Sequence, residues 1–489
     1  MMANLTFYLW FFFNVLLLIH ILHELVLLFY ALTDRTKVRR LPADAKLPFV
    51  TIQLPLYNEK YVVGRLLETV SQLDYPKELL EVQILDDSSD ETSTLIQKFI
   101  AQLKGPQFDF QHIRREDRSG YKAGALDYGL KLAKGEFIAI FDADFVPDPQ
   151  FIVNTIAHFE NPEVGLVQTR WLHINENDSI LTRAQAIMLN THFSIENLGR
   201  SNAKGFVSFN GTAGIWRRDC IYSAGGWHAD TLTEDLDLSF RAQMKGWKFK
   251  YLFDVGSPAE LPVTFDAYRT QQFRWSKGTA ECLRKNMGEL WKSAATFNAK
   301  LIGSFHLLNS SIYLLVVGIL LLSPAVYYFQ KTNAISVPFS DTLSFIGPLV
   351  LASLLAILYV GDTMASKNKL KSTLLFNLSV FIYFSMTTGI SLYMAFGIIE
   401  GYLGKKSEFV RTPKFGSTSG LLNRVKRGYN FKKEYSILIL EILAMCYGFF
   451  WMVASFYNFN VMTFSYGLVI IFGFSLSIFF KNQTFRWRS

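Results

Sequence analysis

The sequence predicts an α/β domain on a mostly parallel sheet, inserted between α-helical transmembrane segments. Three observations predict it. Half of the 489 residues are apolar, and they gather at the two ends of the chain. Runs of about 20 apolar residues are long enough to cross the hydrocarbon core of a bilayer. Between the apolar ends, short apolar runs alternate with helical patterns, and such alternation builds parallel sheets covered on both faces.

The first element is the apolar run 5–32. It is too long for the apolar part of a cleaved leader and has no basic segment before it, so residues 1–33 are expected to form a retained span. The α/β domain is expected over 34–300. Residues 49–54 read as a strand, 60–73 as a helix, and 82–85, 109–113, 137–141 and 164–169 as further strands. Residues 301–489 hold the second membrane region, with apolar runs at 301–328, 343–360, 374–399, 437–456 and 461–480.

The net charge is +8. Arg35, Lys37, Arg39 and Arg40 follow the first apolar run, and Lys481, Arg486 and Arg488 follow the last. Basic residues flanking apolar spans are an orientation signal of membrane proteins, so no nucleic-acid partner is expected and the domain is placed on the cytoplasmic side. Cys220, Cys282 and Cys446 are too far apart for a disulfide framework or a zinc site, which suits a reducing compartment.

The run 374–399 is treated differently from its neighbours. Lys367, Lys369 and Lys371 precede it, and 400–434 carries nine Lys/Arg against three acids. A single crossing would put that basic stretch outside, against the positive-inside rule. The run also holds Asn377, Ser379, Ser385, Thr387, Thr388, Gly389 and Ser391. It is therefore expected to lie at the interface or re-enter, leaving five spans and returning 400–434 to the domain.

The chemistry gathers at strand ends, where open α/β sheets bind ligands. Asp86-Asp87 ends one strand and Asp142-Ala143-Asp144 follows another. Mg²⁺ or Mn²⁺ takes oxygen ligands, typically one or two carboxylates plus substrate phosphates. Asp86-Asp87 can hold a base or ribose hydroxyl. Each pair alone is also an ordinary acidic turn. Ser119 is expected to cap a helix to about Lys131, with Lys122 in its first turn. Free N–H groups there favour anions, and a bound diphosphate would explain a Lys where the dipole favours acids; a surface Lys is the plain alternative. Thr231 and Glu234 have capping-box spacing, which sets Asp235 in the first turn of a helix to Lys245. Asp235 then serves the dipole or acts as a general base toward an acceptor hydroxyl. Gln271, Arg274 and Trp275 share a face of a helix over 265–286, suited to a diphosphate and a sugar ring, or to packing.

Together these pieces resemble family 2 glycosyltransferases of the cellulose synthase type, and within them the mannan and glucan synthase-like proteins. The resemblance is carried by Asp86-Asp87, Lys122, Asp142-Ala143-Asp144, Thr233-Glu234-Asp235 and Gln271-Gln272-Phe273-Arg274-Trp275-Ser276. Val167-Gln168-Thr169-Arg170-Trp171 and Phe209-Asn210-Gly211-Thr212 add to it, and it covers 45–290 strongly.

The resemblance implies a GT-A fold and inverting transfer of a hexose from a nucleotide-diphosphate sugar, UDP-glucose or GDP-mannose, with Mg²⁺ or Mn²⁺. It implies roles for individual residues. Asp86 and Asp87 would hold the nucleoside and Lys122 the diphosphate. Asp142 and Asp144 would bind the donor and its metal. Asp235, beside Glu234, would be the base. Gln271, Arg274 and Trp275 would line the diphosphate and acceptor end, and Asn210, Gly211 and Thr212 would lie under the acceptor sugar. Phe409-Val410-Arg411-Thr412-Pro413-Lys414 resembles a gating loop, with Arg411 where an apolar residue is usual; Thr412 and Lys414 are expected to reach the diphosphate and close the site against water. Phe273 and Lys277 stand where His and Cys would be expected, so donor and linkage stay open.

Two products are in play. One is a glucan- or mannan-like β-linked polysaccharide, extended and exported. The other is a lipid such as diacylglycerol or ceramide carrying one added sugar. The Gln-x-x-Arg-Trp helix and the later spans favour the first. A transporter leaves the motif-bearing domain unexplained. The bilayer expected is the inner or plasma membrane, and the few residues after 480 lead us to expect no appended nucleotide-sensing module.

Overall fold

The computed structural model describes residues 1–33, 39, 46–103, 109–366, 368–416, 435–457 and 461–486. Arg35, Lys37, Arg40, Lys367, Arg488 and the 417–434 part of the basic stretch lie outside the described residues.

The first helix, α1 (Met2–Thr33), is largely apolar, with Asn14, His20, His23 and Glu24 as its buried polar side chains. It buries Phe7, Trp10, Ile21, Leu27 and Ala31. The Trp10 indole N–H donates to Ser323 Oγ at 2.9 Å, tying α1 to the helix Ile312–Lys331.

The sheet has seven strands: β1 (Val50–Leu56), β2 (Leu80–Asp86), β3 (Asp109–Ile113), β4 (Phe137–Ile140), β5 (Val164–His173), β6 (Gly214–Arg217) and β7 (Lys248–Ala259). Their order is β3-β2-β1-β4-β6-β5-β7. The pairs β1–β2, β2–β3, β1–β4 and β5–β7 are parallel, and β6 runs antiparallel to both β4 and β5. Residues of β2 and β4 are buried on both faces, as expected for parallel strands covered by helices. The sequence reading included neither β6, a run of four residues too short to show a period, nor β7.

Four helices carry the chemistry: α2 (Tyr121–Leu132), α3 (Ile180–Thr191), α4 (Glu234–Met244) and α5 (Phe265–Lys292). Two capping expectations are corrected. Gly120, at φ +70°, takes the N-cap of α2, and the Ser119 hydroxyl donates instead to Asp117 Oδ1 at 2.7 Å. Thr233, not Thr231, precedes α4, and it makes no side-chain cap bond. Both helices still start where Lys122 and Asp235 fall in the first turn. The Thr264 hydroxyl caps α5 by accepting from the Ala267 N–H at 3.3 Å.

Among the described residues, five helices are long and apolar enough to cross a membrane: Met2–Thr33, Phe297–Lys331, Ser340–Ala365, Lys369–Tyr402 and Leu438–Tyr457; Thr463–Phe479 is a shorter apolar helix. Two are used below as α6 (Ile346–Ala365) and α7 (Lys369–Tyr402). The run 374–399 lies within α7, one unbroken helix of 34 residues, the least apolar and most buried of the five.

Both ends of α7 meet the α/β domain. Near its start, Ser372 and the Arg183 guanidinium of α3 converge on Asp362 of α6, with Arg183 Nη1 2.9 Å from Asp362 Oδ1. Near its end, Glu400 Oε2 accepts from Lys277 Nζ of α5 at 2.9 Å. Between them α7 lies close on α5: a Cβ on Gly401 would stand 2.8 Å from the Lys277 carbonyl and from Ala280 Cβ. Phe273 stacks on Tyr393 of α7 with ring centroids 4.6 Å apart. Phe273 and Lys277 thus both serve the α5–α7 contact.

Candidate active site

The cavity opens at the carboxyl ends of β1, β2, β4, β5 and β7, and the segment 409–415 closes over it. At the end of β4, the Asp142 N–H donates to Thr212 Oγ1 at 2.9 Å. Lys122 Nζ, from the first turn of α2, donates to Asp142 Oδ1 at 2.6 Å and to the Gly211 carbonyl at 2.8 Å. Gly211 has two reasons to be glycine. Its φ is +79°, and a Cβ there would stand 3.0 Å from Asp235 Oδ2. Two residues on from Asp142, Asp144 Oδ2 accepts from the Glu260 N–H at 3.3 Å, and Asp144 Oδ1 pairs with the Lys414 ammonium.

The buried charges divide by their partners. Burial opposes the charge on Asp142, but Lys122 and Lys414 outweigh it and hold the carboxyl below its usual range. For Asp144 burial wins and the pKa rises in spite of Lys414. Asp235 is pushed up to about 7, first by burial and then by the charge of Glu234. A carboxyl tuned to that value suits proton removal near neutral pH.

Gln271, Arg274 and Trp275 all reach the cavity, as does Asn210. The Arg274 guanidinium lies over the Phe409 ring, 4.6 Å from its centroid. Trp275 meets Trp171 at 6.4 Å between centroids, and Trp171 meets Phe193 at 5.3 Å. This end of the cavity is aromatic where the other is charged.

Two expected residues lie behind the wall. Asp86 does not line the cavity: it accepts from the Ser88 N–H and pairs with His112, each at 2.9 Å, and accepts from the Ser93 hydroxyl. Burial opposes its charge, but the hydrogen bonds from His112, Ser93 and Ser88 prevail and bring its pKa to about 2. Asp87 does reach the cavity, where Arg115 pairs with it. Consecutive residues at a strand end point to opposite faces, so only one of the pair can face a ligand. Thr212 is fully buried, and its hydroxyl meets the site by accepting from the Asp142 N–H.

The segment after α7 is anchored in the cavity by several contacts. Arg411 donates to the Tyr57 carbonyl at 2.8 Å and pairs with Glu59 Oε1 at 3.2 Å. The Phe415 and Gly416 N–H groups donate to Glu260 Oε2 at 3.3 and 3.2 Å. Thr412 lines the cavity, its hydroxyl buried and without a hydrogen-bond partner among the described residues. Burial works against the Lys414 charge, but Asp144, Asp142 and Glu59 overcome it and raise its pKa.

The sequence reading missed Glu59, Arg118 and Glu260. Glu59 follows β1, a strand the sequence reading placed, so the strand-end rule that singled out Asp142 pointed to it; Glu260 follows β7, a strand that reading did not include. Burial pushes Glu59 up to about 7, against the pull of Lys414 and Arg411. Arg118 stacks on the Tyr57 ring, 3.3 Å from its centroid, a contact that no spacing signals.

Comparison with known proteins sets this geometry in context. The model for "Glycosyltransferase like family 2" matches residues 48–278. A probable glucomannan 4-beta-mannosyltransferase 9 of Oryza sativa subsp. japonica is 40% identical over 306 residues, 58% of this chain and 57% of that protein. The glucomannan 4-beta-mannosyltransferase 1 of the same organism is 36% identical over 389 residues, 76% of this chain and 70% of that protein. A probable glucomannan 4-beta-mannosyltransferase 10 of Arabidopsis thaliana is 34% identical over 423 residues, 82% and 73%. The chain thus spans between 57% and 73% of these curated relatives' lengths. Among solved structures, a mannosyltransferase from Pyrobaculum calidifontis in complex with GDP-Man and Mn²⁺ shares the fold at a TM-score of 0.56 and 19% identity, covering 81% of this chain and all of that one.

Proposed function

The chain belongs to the family 2 glycosyltransferases of the cellulose synthase-like type, and from that premise we propose that it is an inverting mannosyltransferase extending a β-linked polysaccharide from GDP-mannose. The observation that carries the reading is convergence. Five segments far apart in the chain bring Asp142 and Asp144, Lys122, Asp235, Gln271 with Arg274 and Trp275, and Thr412 with Lys414 around one cavity. The mannosyl donor and the 4-linkage are taken from the names of the relatives.

In this mechanism the acceptor sugar lies against Trp275, Trp171 and Asn210. Asp235 takes the proton of its attacking hydroxyl. The hydroxyl oxygen bonds to the anomeric carbon of the donor as the bond to the diphosphate breaks, and a single displacement inverts that centre. Lys122 and Arg274 meet the charge that develops on the departing diphosphate. Gln271 sits beside them on the same helix face.

Asp142 and Asp144 fit a hard divalent cation, Mg²⁺ or Mn²⁺, being oxygen donors side by side at a strand end; the Lys414 ammonium paired with Asp144 supports the reading that this carboxylate faces positive charge. When bound, the metal would neutralise the diphosphate and polarise its bond to the sugar. Lys414 and the metal would then compete for one carboxylate, so donor binding is expected to shift Lys414 from Asp144 toward the diphosphate. Asp87 would hold the nucleoside.

The catalytic domain is assigned to the cytoplasmic face, with α7 at the interface. That both ends of α7 contact the same domain supports this placement. A helix of 34 residues is about 51 Å long, and a crossing would carry one end to the far side. Thiol labelling at Ser407→Cys from the outer face of intact cells would contradict it; the companion position, Ser417, lies outside the described residues.

Purified protein supplied with a panel of labelled nucleotide sugars tests the activity. The expected product is a polymer made from GDP-mannose, retained on size analysis and cut by a β-mannan hydrolase. A labelled lipid bearing one sugar, or a preference for UDP-glucose, would overturn the reading.

A further inference from the structure

The cavity wall at Asn210 is held from behind by a closed ring of hydrogen bonds. A π-helical turn, His192–Asn197, follows α3. Such turns bond residue i to i+5 and are frequent at functional sites. Arg200 follows one turn further on, 1% exposed.

The ring is continuous. Arg200 donates to Glu196 Oε2 at 2.6 Å and to Asn197 Oδ1 at 3.2 Å. Asn197 Nδ2 donates to Asn210 Oδ1 at 3.2 Å and lies 3.2 Å from His192 Nε2. Asn210 Nδ2 lies 3.0 Å from the same His192 Nε2, and His192 Nδ1 lies 3.0 Å from Glu196 Oε2.

These contacts fix the assignment of every hydrogen. Arg200 has only donors, so it takes the oxygen of Asn197 and turns the Asn197 NH₂ toward Asn210 and His192. Asn210 then has to present its oxygen to Asn197; the flipped amide would set one NH₂ against another. Two amide donors therefore converge on His192 Nε2, which must carry a lone pair, and the Nδ1 proton goes to Glu196. Among the ring residues only Asn210 lines the cavity. Within the ring its oxygen uses one lone pair and its nitrogen one N–H, so one of each is left over.

We propose that His192, held by Glu196, Asn197 and Arg200, is a positioning residue that locks the Asn210 amide so that its remaining N–H and lone pair serve a sugar hydroxyl of the acceptor. A hydroxyl both donates and accepts, so a neutral amide of fixed orientation matches it where a charged group would match only half. This inference rests on the reading of Asn210 as an acceptor contact.

The full-length protein is assayed with GDP-mannose and a soluble β-manno-oligosaccharide acceptor, measuring acceptor KM, donor KM and kcat separately. His192→Phe removes the lone pair but keeps the bulk. It is expected to raise acceptor KM about tenfold, the scale of one good hydrogen bond, with donor KM unchanged. His192→Gln, whose amide oxygen can accept in place of Nε2, is expected to recover most of the loss. Asn197→Ala breaks the ring elsewhere and is expected to raise the same constant, which covers the case of a misfolded His192→Phe. Unchanged acceptor KM in both ring variants, with Asn210→Ala raising it, would overturn the positioning role. Unchanged acceptor KM in Asn210→Ala would instead overturn the acceptor reading beneath it. Donor and acceptor KM rising together, without rescue by Gln, would reduce the ring to packing.

Discussion

The two ends of the cavity are built from opposite materials. The end proposed for the donor is a set of charges: Asp142, Asp144, Lys122, Arg274 and Lys414, with Glu59, Arg411 and Glu260 beside them. The end proposed for the acceptor is neutral, with Trp171 and Trp275 in contact and Asn210 held by its ring. A departing diphosphate gains charge as the reaction proceeds, and fixed charges aimed at it act only where water is excluded. A sugar acceptor carries no charge. It is met by aromatic faces and by amide groups whose hydrogen bonds are already directed. Asp235 and Glu234 stand between the two ends, and their behaviour belongs to both.

The largest effect is expected at the donor end. Asp144→Ala should abolish turnover in Mg²⁺ or Mn²⁺ while the protein keeps its fold, measured by nucleoside diphosphate release and thermal unfolding. It removes an oxygen donor and leaves the Lys414 ammonium buried without its closest partner. Full activity of the unaltered protein in EDTA would remove the metal from this end, and with it the main reason for two carboxylates there.

At the acceptor end the expected effect is smaller and of a different kind. Trp275→Ala should lower transfer to an acceptor by about tenfold, the scale of lost aromatic contact, while hydrolysis of the donor by water is spared. Comparing sugar transfer with free mannose release in one assay separates the two. Equal loss of both would mean that Trp275 shapes the whole cavity, and the contrast between its ends would weaken.

The same contrast governs what was legible in the sequence. Charges at strand ends and helix starts announce themselves, because β4 and α2 can be located by pattern and their ends must face the ligand side. Asp142, Asp144 and Lys122 were singled out that way, and Gln271, Arg274 and Trp275 by helical spacing, and all six line one cavity. Asp86 was misplaced because strand alternation sends neighbours to opposite faces, which a motif of two like residues hides. Glu59 obeyed the strand-end rule and was passed over, whereas Glu260 was out of its reach because β7 was not read as a strand.

The His192 ring was not legible at all. A π turn breaks the helical register on which spacing arguments depend, and the ring is completed by Asn210, which lies outside that helix. The caps failed for a local reason: the Ser119 hydroxyl preferred Asp117, and glycine at positive φ took its place. For α7, composition reports how apolar a segment is but not which way it runs, so only the contacts of its two ends bear on its path.

The smallest effect expected is also the most discriminating, because it lies where the two ends meet. Asp235 is pushed up to about 7 by burial first and by the Glu234 charge second. A general base works only when ionised, so kcat/KM should rise with pH through the apparent pKa of this pair and level off above it. Glu234→Gln removes the neighbouring negative charge and keeps the shape. Loss of a like charge makes ionisation of Asp235 easier, so the acid limb should move to lower pH, by about one unit for a charge in contact. Below neutral pH the variant should then retain a larger share of its plateau rate than the unaltered enzyme. Glu59 needs a control, since burial brings it to about 7 as well and it sits beside Arg411 and Lys414. Glu59→Gln should leave the limb in place if Asp235 is the titrating base. A limb that ignores Glu234 and follows Glu59 would move the titration to the proposed donor end, beside the loop 409–415, and would leave Asp235 without evidence for its role as base.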